Sequence, residues 1–377
     1  MKRFLAGESV DSICISSKHS RSWFYKWATR YSSDNPDWSE EKSRRPQTIH
    51  THTPFEIEQI IKMTRLDLYN KGHFCGAQAI RWEMEDLGVR QLPSLRTINR
   101  ILNKYELTHR RTGRYEPKGK KYPTLHGISV NHVHQSDFMG PCYLHGPNRF
   151  YSLNTVDLAT GRCAVEPIID RDAQSTINAF WAIWRRLGLP VHQQVDNEMV
   201  FYGSPTHPRG MGCLIRLCLH YGIELWFIPK GEPWRNGVVE KFNDHYRQKF
   251  LDRVEMVNTK SLREQSKLFE KEHNRRYRYS KLQGRTPLEE LNMSNKTLRF
   301  PVEDQAPSHP LKKPTNGKYN LVRFIRNDGK LDIFGEKFPV PPETFYEYVV
   351  ATIDVKEQKL KIFLDKRQVD EIKYQLF

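Results

Sequence analysis

The order of predicted elements across residues 131–256 limits the fold of this chain more than any other feature. Three strand-like runs, rich in aliphatic and aromatic residues, come first and are separated by turn residues. Helices and strands then alternate, beginning with an amphipathic helix that Asp172 precedes and Gly188 ends. The pattern predicts strands at 133–144, 150–156, 162–168, 192–195 and 223–228, and helices at 173–187, 213–221 and 237–251. This order predicts an α/β domain with a mixed sheet flanked by helices.

Three acidic residues occupy positions from which such a fold can bring them together. Asp137 lies inside the first strand, Asp196 directly follows the fourth strand, and Glu240 lies in the first turn of the last helix. Asn236 is a favourable N-cap for that helix. Hard divalent cations prefer carboxylate oxygens, and two metal ions held close together promote in-line phosphoryl transfer. The sequence therefore predicts a catalytic metal site built from these three acids.

The residues before 131 predict two small helical units. The first covers 1–32 and the second covers 53–108, and each ends in a basic helix, so each resembles a helix-turn-helix module. The first unit is short for such a module, and we expect its leading helix to be incomplete. A polar linker at 33–52 joins the units, and a basic tether at 109–130 follows them. A solvated, charged helical bundle is the alternative interpretation.

The residues after the α/β region predict a different architecture. Residues 257–300 predict a helical extension and linker, and a proline-rich stretch follows. From 315 to 377 the pattern changes to short strands, and Asn327-Asp328-Gly329 is a strong hairpin-turn signal. The segment therefore predicts a small all-β barrel, which would serve DNA binding, subunit contact or structure alone.

The basic composition indicates a polyanionic partner. The 377 residues carry a formal net charge of +16 at pH 7, and the surplus lies outside the nearly neutral region 131–250. No run of about 18 uncharged apolar residues is present, so a membrane partner is not expected. The cysteines form no CxxC pair and the first residues lack a secretory pattern, which favours a cytoplasmic protein with reduced thiols.

The motifs around the three acids carry a resemblance to a known family. They are His134-Gln135-Ser136-Asp137-Phe138, Val195-Asp196-Asn197 and the run from Pro233 to Asn243, which contains Pro-x-x-Asn-Gly-x-x-Glu. These motifs resemble the retroviral-integrase-type catalytic core, which has an RNase H-like fold. More closely, they resemble the DDE transposases of bacterial insertion sequences. The resemblance covers residues 131–290, and the Asn-Gly-x-x-Glu run is its most specific part.

The resemblance implies a DDE-type polynucleotidyl transferase, that is, a DNA transposase or integrase. It would nick the 3′ ends of mobile-element DNA and join them to target DNA by metal-dependent transesterification. Asp137, Asp196 and Glu240 would be the catalytic residues and would bind two Mg²⁺ (or Mn²⁺) ions. The implied partners are double-stranded DNA, at the element ends and at the target, and further copies of the chain in a homodimer or higher oligomer. A nucleoid-associated location in the bacterial cytoplasm is implied as well.

Basic and amide side chains near these features are candidates for DNA contact. They are Arg21, Lys26, Arg96 and Arg100 in the helical units, and Asn197, Lys230, Arg235, Asn236 and Arg247 in the core. Arg247 follows Glu240 by seven residues on the same helix face, where the family often has a basic residue. The alternative for the charged candidates is a solvated side chain, and for Asn197 it is an ordinary turn residue.

Other functions remain open at this stage. The main alternative is a non-catalytic, domesticated, sequence-specific DNA-binding regulator. A nuclease for RNA–DNA hybrids would share the fold but would not need the helical units. The spacing also departs from the family, because 43 residues separate Asp196 from Glu240, more than is typical. The surplus lies in a turn-rich insertion at 202–212, which a surface loop accommodates at little entropic cost.

Overall fold

The computed structural model describes most of the chain. The described residues are 1–41, 53–108, 121–144, 149–204, 206–256 and 258–377. They divide into two compact units, residues 1–54 and residues 55–377. Within these ranges, no helix is both long enough and apolar enough to span a bilayer. Two parts of the predicted connecting segments, 42–52 of the linker and 109–120 of the tether, lie outside the described residues.

The first unit consists of short helices around a small apolar core. Its helices are α1 (Lys2–Leu5), α2 (Val10–Ser17) and α3 (Arg21–Ala28), and a short 3-10 turn at Pro36–Ser39 lies in the predicted linker. Ser20 caps α3, because its Oγ accepts a hydrogen bond from the Trp23 amide at 3.2 Å. Ile13, Cys14 and Phe24 are buried between α2 and α3. The two predicted helices are present, and their helix-turn-helix role stays a prediction.

Three longer helices begin the second unit. They are α4 (Phe55–Asn70), α5 (Ala77–Asp86) and α6 (Leu95–Lys104). Ser94 caps α6, since its Oγ accepts a hydrogen bond from the Thr97 amide at 3.2 Å. Ile61, Ile80 and Ile98, one from each helix, are completely buried and define the core of this bundle. The bundle belongs to the same compact unit as the sheet that follows.

The predicted mixed sheet is confirmed. Its strands are β1 (Val133–Tyr143), β2 (Arg149–Asp157), β3 (Cys163–Ile168), β4 (His192–Val195) and β5 (Glu224–Phe227). They lie in the order β3-β2-β1-β4-β5, with β3–β2 and β2–β1 antiparallel and β1–β4 and β4–β5 parallel. The antiparallel strands are consecutive in the chain, whereas the parallel strands require helical crossovers, as the element order predicts.

Helices cover both faces of this sheet. They are α7 (Ala173–Leu187), α8 (Met199–Tyr202), α9 (Cys213–His220), α10 (Gly237–Lys249), α11 (Thr259–Arg276) and α12 (Pro287–Asn292). Adjacent residues of a strand point to opposite faces. In β3, Ala164 joins the core that contains Phe180 of α7, and Val165 joins the core that contains Val239 of α10. The sheet is therefore the middle layer between two helical layers.

Four of the six strands in residues 315–377 extend this sheet. The six strands are β6 (Lys318–Phe324), β7 (Lys330–Ile333), β8 (Glu336–Pro339), β9 (Tyr348–Asp354), β10 (Lys359–Leu364) and β11 (Arg367–Lys373). β6 pairs in parallel with β5, and β9, β10 and β11 follow in antiparallel order, so the described residues form one nine-stranded sheet. The separate barrel predicted at 315–377 is therefore corrected. The segment is all-β, but β6 satisfies the backbone groups on the otherwise free edge of β5.

The Asn327-Asp328-Gly329 turn is present but joins strands of different sheets. β6 lies in the large sheet, whereas β7 pairs with β8 in a separate two-stranded sheet. The hairpin signal therefore identifies the turn and misidentifies the strand pair. Turn chemistry is local, but the choice of partner depends on which exposed edge and which apolar face the strand can cover.

The insertion at 202–212 contacts these C-terminal strands. Tyr202 stacks on Phe334 with ring centroids 4.4 Å apart. Arg209 forms an ion pair with Glu336 of β8, with Nε and Oε2 2.9 Å apart. The extra length between the second and third acids therefore serves to attach the C-terminal strands to the core.

Candidate active site

Asp137 and Asp196 lie side by side at one end of the sheet. Gln135 of β1 pairs with Gln194 of β4 in parallel register. Each aspartate comes two residues after one of these glutamines, so the two side chains leave neighbouring strands at the same level and on the same side. Both aspartates are half-buried. The structure thus brings together the first two predicted acids.

Glu240 reaches the same end of the sheet through the start of α10. Gln135 Oε1 accepts hydrogen bonds from the amides of Val238 and Val239, at 3.2 and 3.4 Å. A side chain of β1 therefore caps α10 and holds its first turn, which carries Glu240, next to the strand that carries Asp137.

Asn236 has a different role from the one predicted. It is the residue before α10, but its side chain makes no capping hydrogen bond. Its Nδ2 instead donates to the Ser136 carbonyl at 2.9 Å, and its Oδ1 accepts from Gln194 Nε2 at 3.3 Å. With only 2% of its surface exposed, Asn236 ties the loop before α10 to β1 and β4. The N-cap prediction is therefore corrected.

The three acids interact electrostatically. Burial, and then the negative charges of Asp196, Glu198 and Glu240, raise the pKa of Asp137 to about 7. Burial also raises the pKa of Asp196 and the pKa of Glu240. Carboxylates that oppose one another's ionisation create a pocket of negative potential, which attracts cations.

The donor set fits a hard divalent cation. Carboxylate oxygens are the ligands that Mg²⁺ and Mn²⁺ prefer, and a cation among them removes the repulsion that raises the pKa of Asp137. Within the described ranges, no group of three or more His, Cys, Asp or Glu side chains is already arranged to hold a metal ion. Uncompensated carboxylates repel one another. The three acids thus lie at one site, but their carboxylates are not arranged to coordinate a metal ion in this structure.

A chain of polar side chains orients Asp137. Asn243, nearly one turn after Glu240 in α10, donates from Nδ2 to Asp137 Oδ2 at 2.8 Å. Its Oδ1 accepts from Asn154 Nδ2 at 2.7 Å, and Ser152 donates to Asn154 Oδ1 at 2.7 Å. Asn154 is also the cross-strand partner of Asp137. Sequence reasoning assigned none of these residues to the site. Asn243 carried a usable signal, its helical spacing from Glu240, whereas Asn154 required the register of β2.

A fourth acid, which sequence reasoning also missed, lies beside the trio. Glu198 raises the pKa of Asp137, and burial followed by the charge of Asp196 raises the pKa of Glu198. Arg171 compensates part of this charge, with its Nη1 2.9 Å from both carboxylate oxygens of Glu198. The Glu198 amide donates to Asp196 Oδ1 at 3.2 Å. Its position two residues after Asp196 was the available signal.

Two basic candidates for DNA contact are engaged within the protein. Lys230 Nζ lies 3.1 Å from a carboxylate oxygen of Asp332. Arg235 Nε lies 2.9 Å from Glu232, and its guanidinium lies 3.9 Å from the ring centroid of Tyr122. Both side chains therefore brace the loop between β5 and α10, and their DNA contacts stay predictions.

The remaining core candidates also have structural roles. Asn197 Nδ2 donates to the Ile228 carbonyl at 2.5 Å, which connects the turn after β4 to the end of β5. Arg247 lies on α10 with Glu240, as predicted, and its charge opposes the rise in pKa that burial gives the Cys142 thiol of β1. Asn236, as described above, is almost fully buried.

The candidates in the helical units lie on helices, as predicted. Arg21 forms an ion pair with Asp11, and Lys26 is also ion-paired. Arg96 and Arg100 are exposed on α6. For these four residues, DNA contact stays a prediction.

Comparison with known families gives a match over the third acid. Residues 221–287 match the family model described as the integrase core domain. This segment contains β5, α10 and Glu240. Among curated proteins, none matches the chain.

Several solved structures are similar to the chain. The HTLV-2 integrase catalytic core domain in complex with magnesium, in its trimeric form, is 20% identical; the alignment covers 43% of this chain and 97% of that one, with a TM-score of 0.34. The simian T-cell lymphotropic virus intasome in complex with PP2A regulatory subunit B56 gamma is 14% identical, with coverages of 84% and 97% and a TM-score of 0.39. The catalytic core domain of BIV integrase is 19% identical, with coverages of 42% and 92% and a TM-score of 0.31. With TM-scores below 0.5, these similarities carry no weight beyond the family match.

Proposed function

We propose that this integrase-like protein, with its RNase H-like core, is a DDE-type polynucleotidyl transferase that cuts and joins DNA. The observation that carries the proposal is the meeting of Asp137, Asp196 and Glu240 at one end of the sheet, where burial, and then the charges of neighbouring acids that include Asp196 and Glu240, raise the pKa of Asp137. The integrase core match supports the same class of function, because it includes the helix that bears Glu240.

In this mechanism, three side chains bind metal ions and a fourth orients one of them. Asp137, Asp196 and Glu240 would hold two Mg²⁺ or Mn²⁺ ions. Ions bound there supply activation of the attacking oxygen and stabilisation of the leaving oxygen. Asn243 engages one oxygen of Asp137, which leaves the other free to act as a ligand. Because water or a 3′-hydroxyl attacks the phosphorus directly, the reaction needs no covalent enzyme intermediate.

The proposed substrate is double-stranded DNA of a mobile element, together with its target. In the first step, water attacks a phosphodiester and a free 3′-hydroxyl leaves at the element end. In the second step, that hydroxyl attacks a target phosphodiester, so one P–O bond forms as another breaks. The net charge of +16 favours such a polyanion. Two ends must be joined together, so we propose a homodimer or higher oligomer on DNA, located with the bacterial nucleoid in the cytoplasm.

The test compares Asp196→Asn with the wild-type protein. The substrates are labelled duplexes tiled from the DNA that flanks the coding region, with a supercoiled plasmid as target and Mg²⁺ or Mn²⁺ in the buffer. We expect Asp196→Asn to bind the duplexes as the wild type does and to join none of them. Asp170→Asn, which changes an exposed acid of the same core, is the matched control and should join strands normally.

The outcomes separate the candidate functions. Joining by Asp196→Asn at the wild-type rate would show that the acid assignment is wrong. Sequence-specific binding by the wild type without cleavage at any metal concentration would favour the domesticated DNA-binding regulator. Cleavage of an RNA–DNA hybrid in place of the duplexes would favour a hybrid nuclease.

A further inference from the structure

Arg323 of β6 is a buried cation next to the turn that carries Asp196. Only 5% of its surface is exposed. Its Nη2 donates to Asn197 Oδ1 at 2.8 Å, and its Nη1 donates to the Ile228 carbonyl at 3.2 Å. Its Nε donates to the Asp332 carbonyl at 3.0 Å. One guanidinium therefore joins the turn after β4, the end of β5 and strand β7.

These contacts restrain the side chain of Asn197, the residue that follows Asp196. Asn197 is the next residue, and its amide group is held on both sides, since Nδ2 donates to the Ile228 carbonyl and Oδ1 accepts from Arg323. With the side chain of Asn197 fixed, the peptide that follows Asp196 cannot rotate freely. The direction of the Asp196 carboxylate is therefore set in part from β6, more than 120 residues away in the chain.

The hydrogen bonds that Arg323 donates end on neutral oxygens. They are the Asn197 side-chain carbonyl and the backbone carbonyls of Ile228, Val322 and Asp332. Burying a cation costs free energy, and hydrogen bonds to neutral acceptors offset only part of it. A leucine or methionine would extend the sheet at lower cost. The planar fork of arginine, by contrast, holds its donors on three separate nitrogens in a fixed geometry, whereas the donors of lysine share a single nitrogen.

The same C-terminal strands also hold the loop that leads to Glu240. Tyr348 of β9 donates to Glu232 at 2.8 Å and accepts from Arg235 Nη2 at 3.1 Å. Asp332 of β7 pairs with Lys230. The C-terminal strands therefore contact both the turn that carries Asp196 and the loop that precedes the helix of Glu240.

We infer that Arg323 is a positioning residue for Asp196 and that the C-terminal strands are thereby part of the active site. The inference rests on the proposed function for its consequence in catalysis, but the link between Arg323 and the Asp196 turn exists without it. Loss of a side chain that orients a metal ligand typically weakens metal binding about 10–100-fold. We therefore expect Arg323→Lys to need at least about tenfold more Mn²⁺ for half-maximal effect than the wild type.

The experiment uses the full chain in three arms, with Arg326→Lys as the matched control because Arg326 is exposed just beyond the same strand. Hydrogen exchange of peptides spanning 196–202 and 228–232 measures the link itself. Stabilisation of the protein by added Mn²⁺ measures metal affinity. Joining of DNA ends over a range of Mn²⁺ concentrations measures catalysis, with kcat and the Mn²⁺ requirement determined separately.

For Arg323→Lys we expect faster exchange in those two peptides, unchanged exchange in β2 and β3, and recovery of joining at high Mn²⁺. Unchanged exchange in β2 and β3 distinguishes positioning from general destabilisation, which would speed exchange throughout the sheet and which metal binding to the folded state would also correct. Unchanged exchange at 196–202, or an unchanged Mn²⁺ requirement, would overturn the inference. If Arg323→Lys does not fold, Asn197→Ala removes the acceptor without altering β6 and must show the same exchange and Mn²⁺ effects. Absence of joining by the wild type would refute the proposed function only, since the exchange and Mn²⁺-stabilisation arms still decide the role of Arg323.

Discussion

Proton competition at Asp137 allows a quantitative prediction for metal binding. Burial and the neighbouring acids raise the pKa of this carboxyl to about 7. At that pKa the group is about 9% ionised at pH 6 and about 91% ionised at pH 8. A metal ion must displace the proton. The apparent Mn²⁺ affinity is therefore expected to be about tenfold weaker at pH 6 than at pH 8.

Isothermal titration calorimetry of the metal-free protein with Mn²⁺ at pH 6, 7 and 8 measures this dependence. Burial lowers the pKa of His134 and of His245 to about 4, so these histidines stay neutral in that range and cannot imitate the effect. Glu198→Gln removes one of the charges that raise the pKa of Asp137, and it should move the transition to lower pH. Equal Mn²⁺ affinity at pH 6 and pH 8 would refute the argument, because a carboxyl with the ordinary pKa of 3.8 is ionised at both.

Further predictions concern stability and positioning. Folded metal-free protein keeps the Asp137 proton up to a pH of about 7, whereas the unfolded chain loses it near 3.8. The contribution of Asp137 to the free energy of unfolding therefore declines as pH rises between these values. Over that window, the melting temperature of the wild type should fall relative to that of Asp137→Asn. Asn243→Leu removes two hydrogen bonds of the Asp137 network and should weaken Mn²⁺ binding about 10–100-fold in calorimetry, with DNA affinity by fluorescence anisotropy unchanged; equal Mn²⁺ affinity would contradict the positioning role. In Gly212→Ala, the added Cβ would collide with the backbone of Tyr202 and should lower the free energy of unfolding in urea by about 1–3 kcal/mol. Gly76→Ala, where no atom is near, is its control, and equal losses in both would contradict the packing argument.

Local patterns identified most elements of the core. The helix at 173–187 and the strand at 192–195 have the predicted bounds, since Asp172 caps the helix through two backbone amides and a glycine ends it. The spacing of hydrophobic residues and the capping residues involve only a few neighbouring positions, so both can be recognised from the sequence alone. The meeting of the three acids was also predictable, because each acid lies in a distinctive motif, whereas their catalytic role stays a prediction.

Pairing between distant segments was not predictable in the same way. The short strands after residue 315 were expected to close on themselves, yet β6 pairs with β5. Asn154 was missed for the same reason, since it reaches Asp137 through strand register.

The amino-acid pattern alone was sufficient for the class of fold of the core, the order of its elements and the three acids that we propose as metal ligands. Three-dimensional packing set the pKa of Asp137, the cap that Gln135 provides for α10, and the attachment of Asn197 to Arg323. The physical reason is range: propensity and hydrophobic period are properties of neighbouring residues, whereas burial, Coulomb interactions and strand edges depend on segments that meet only after folding.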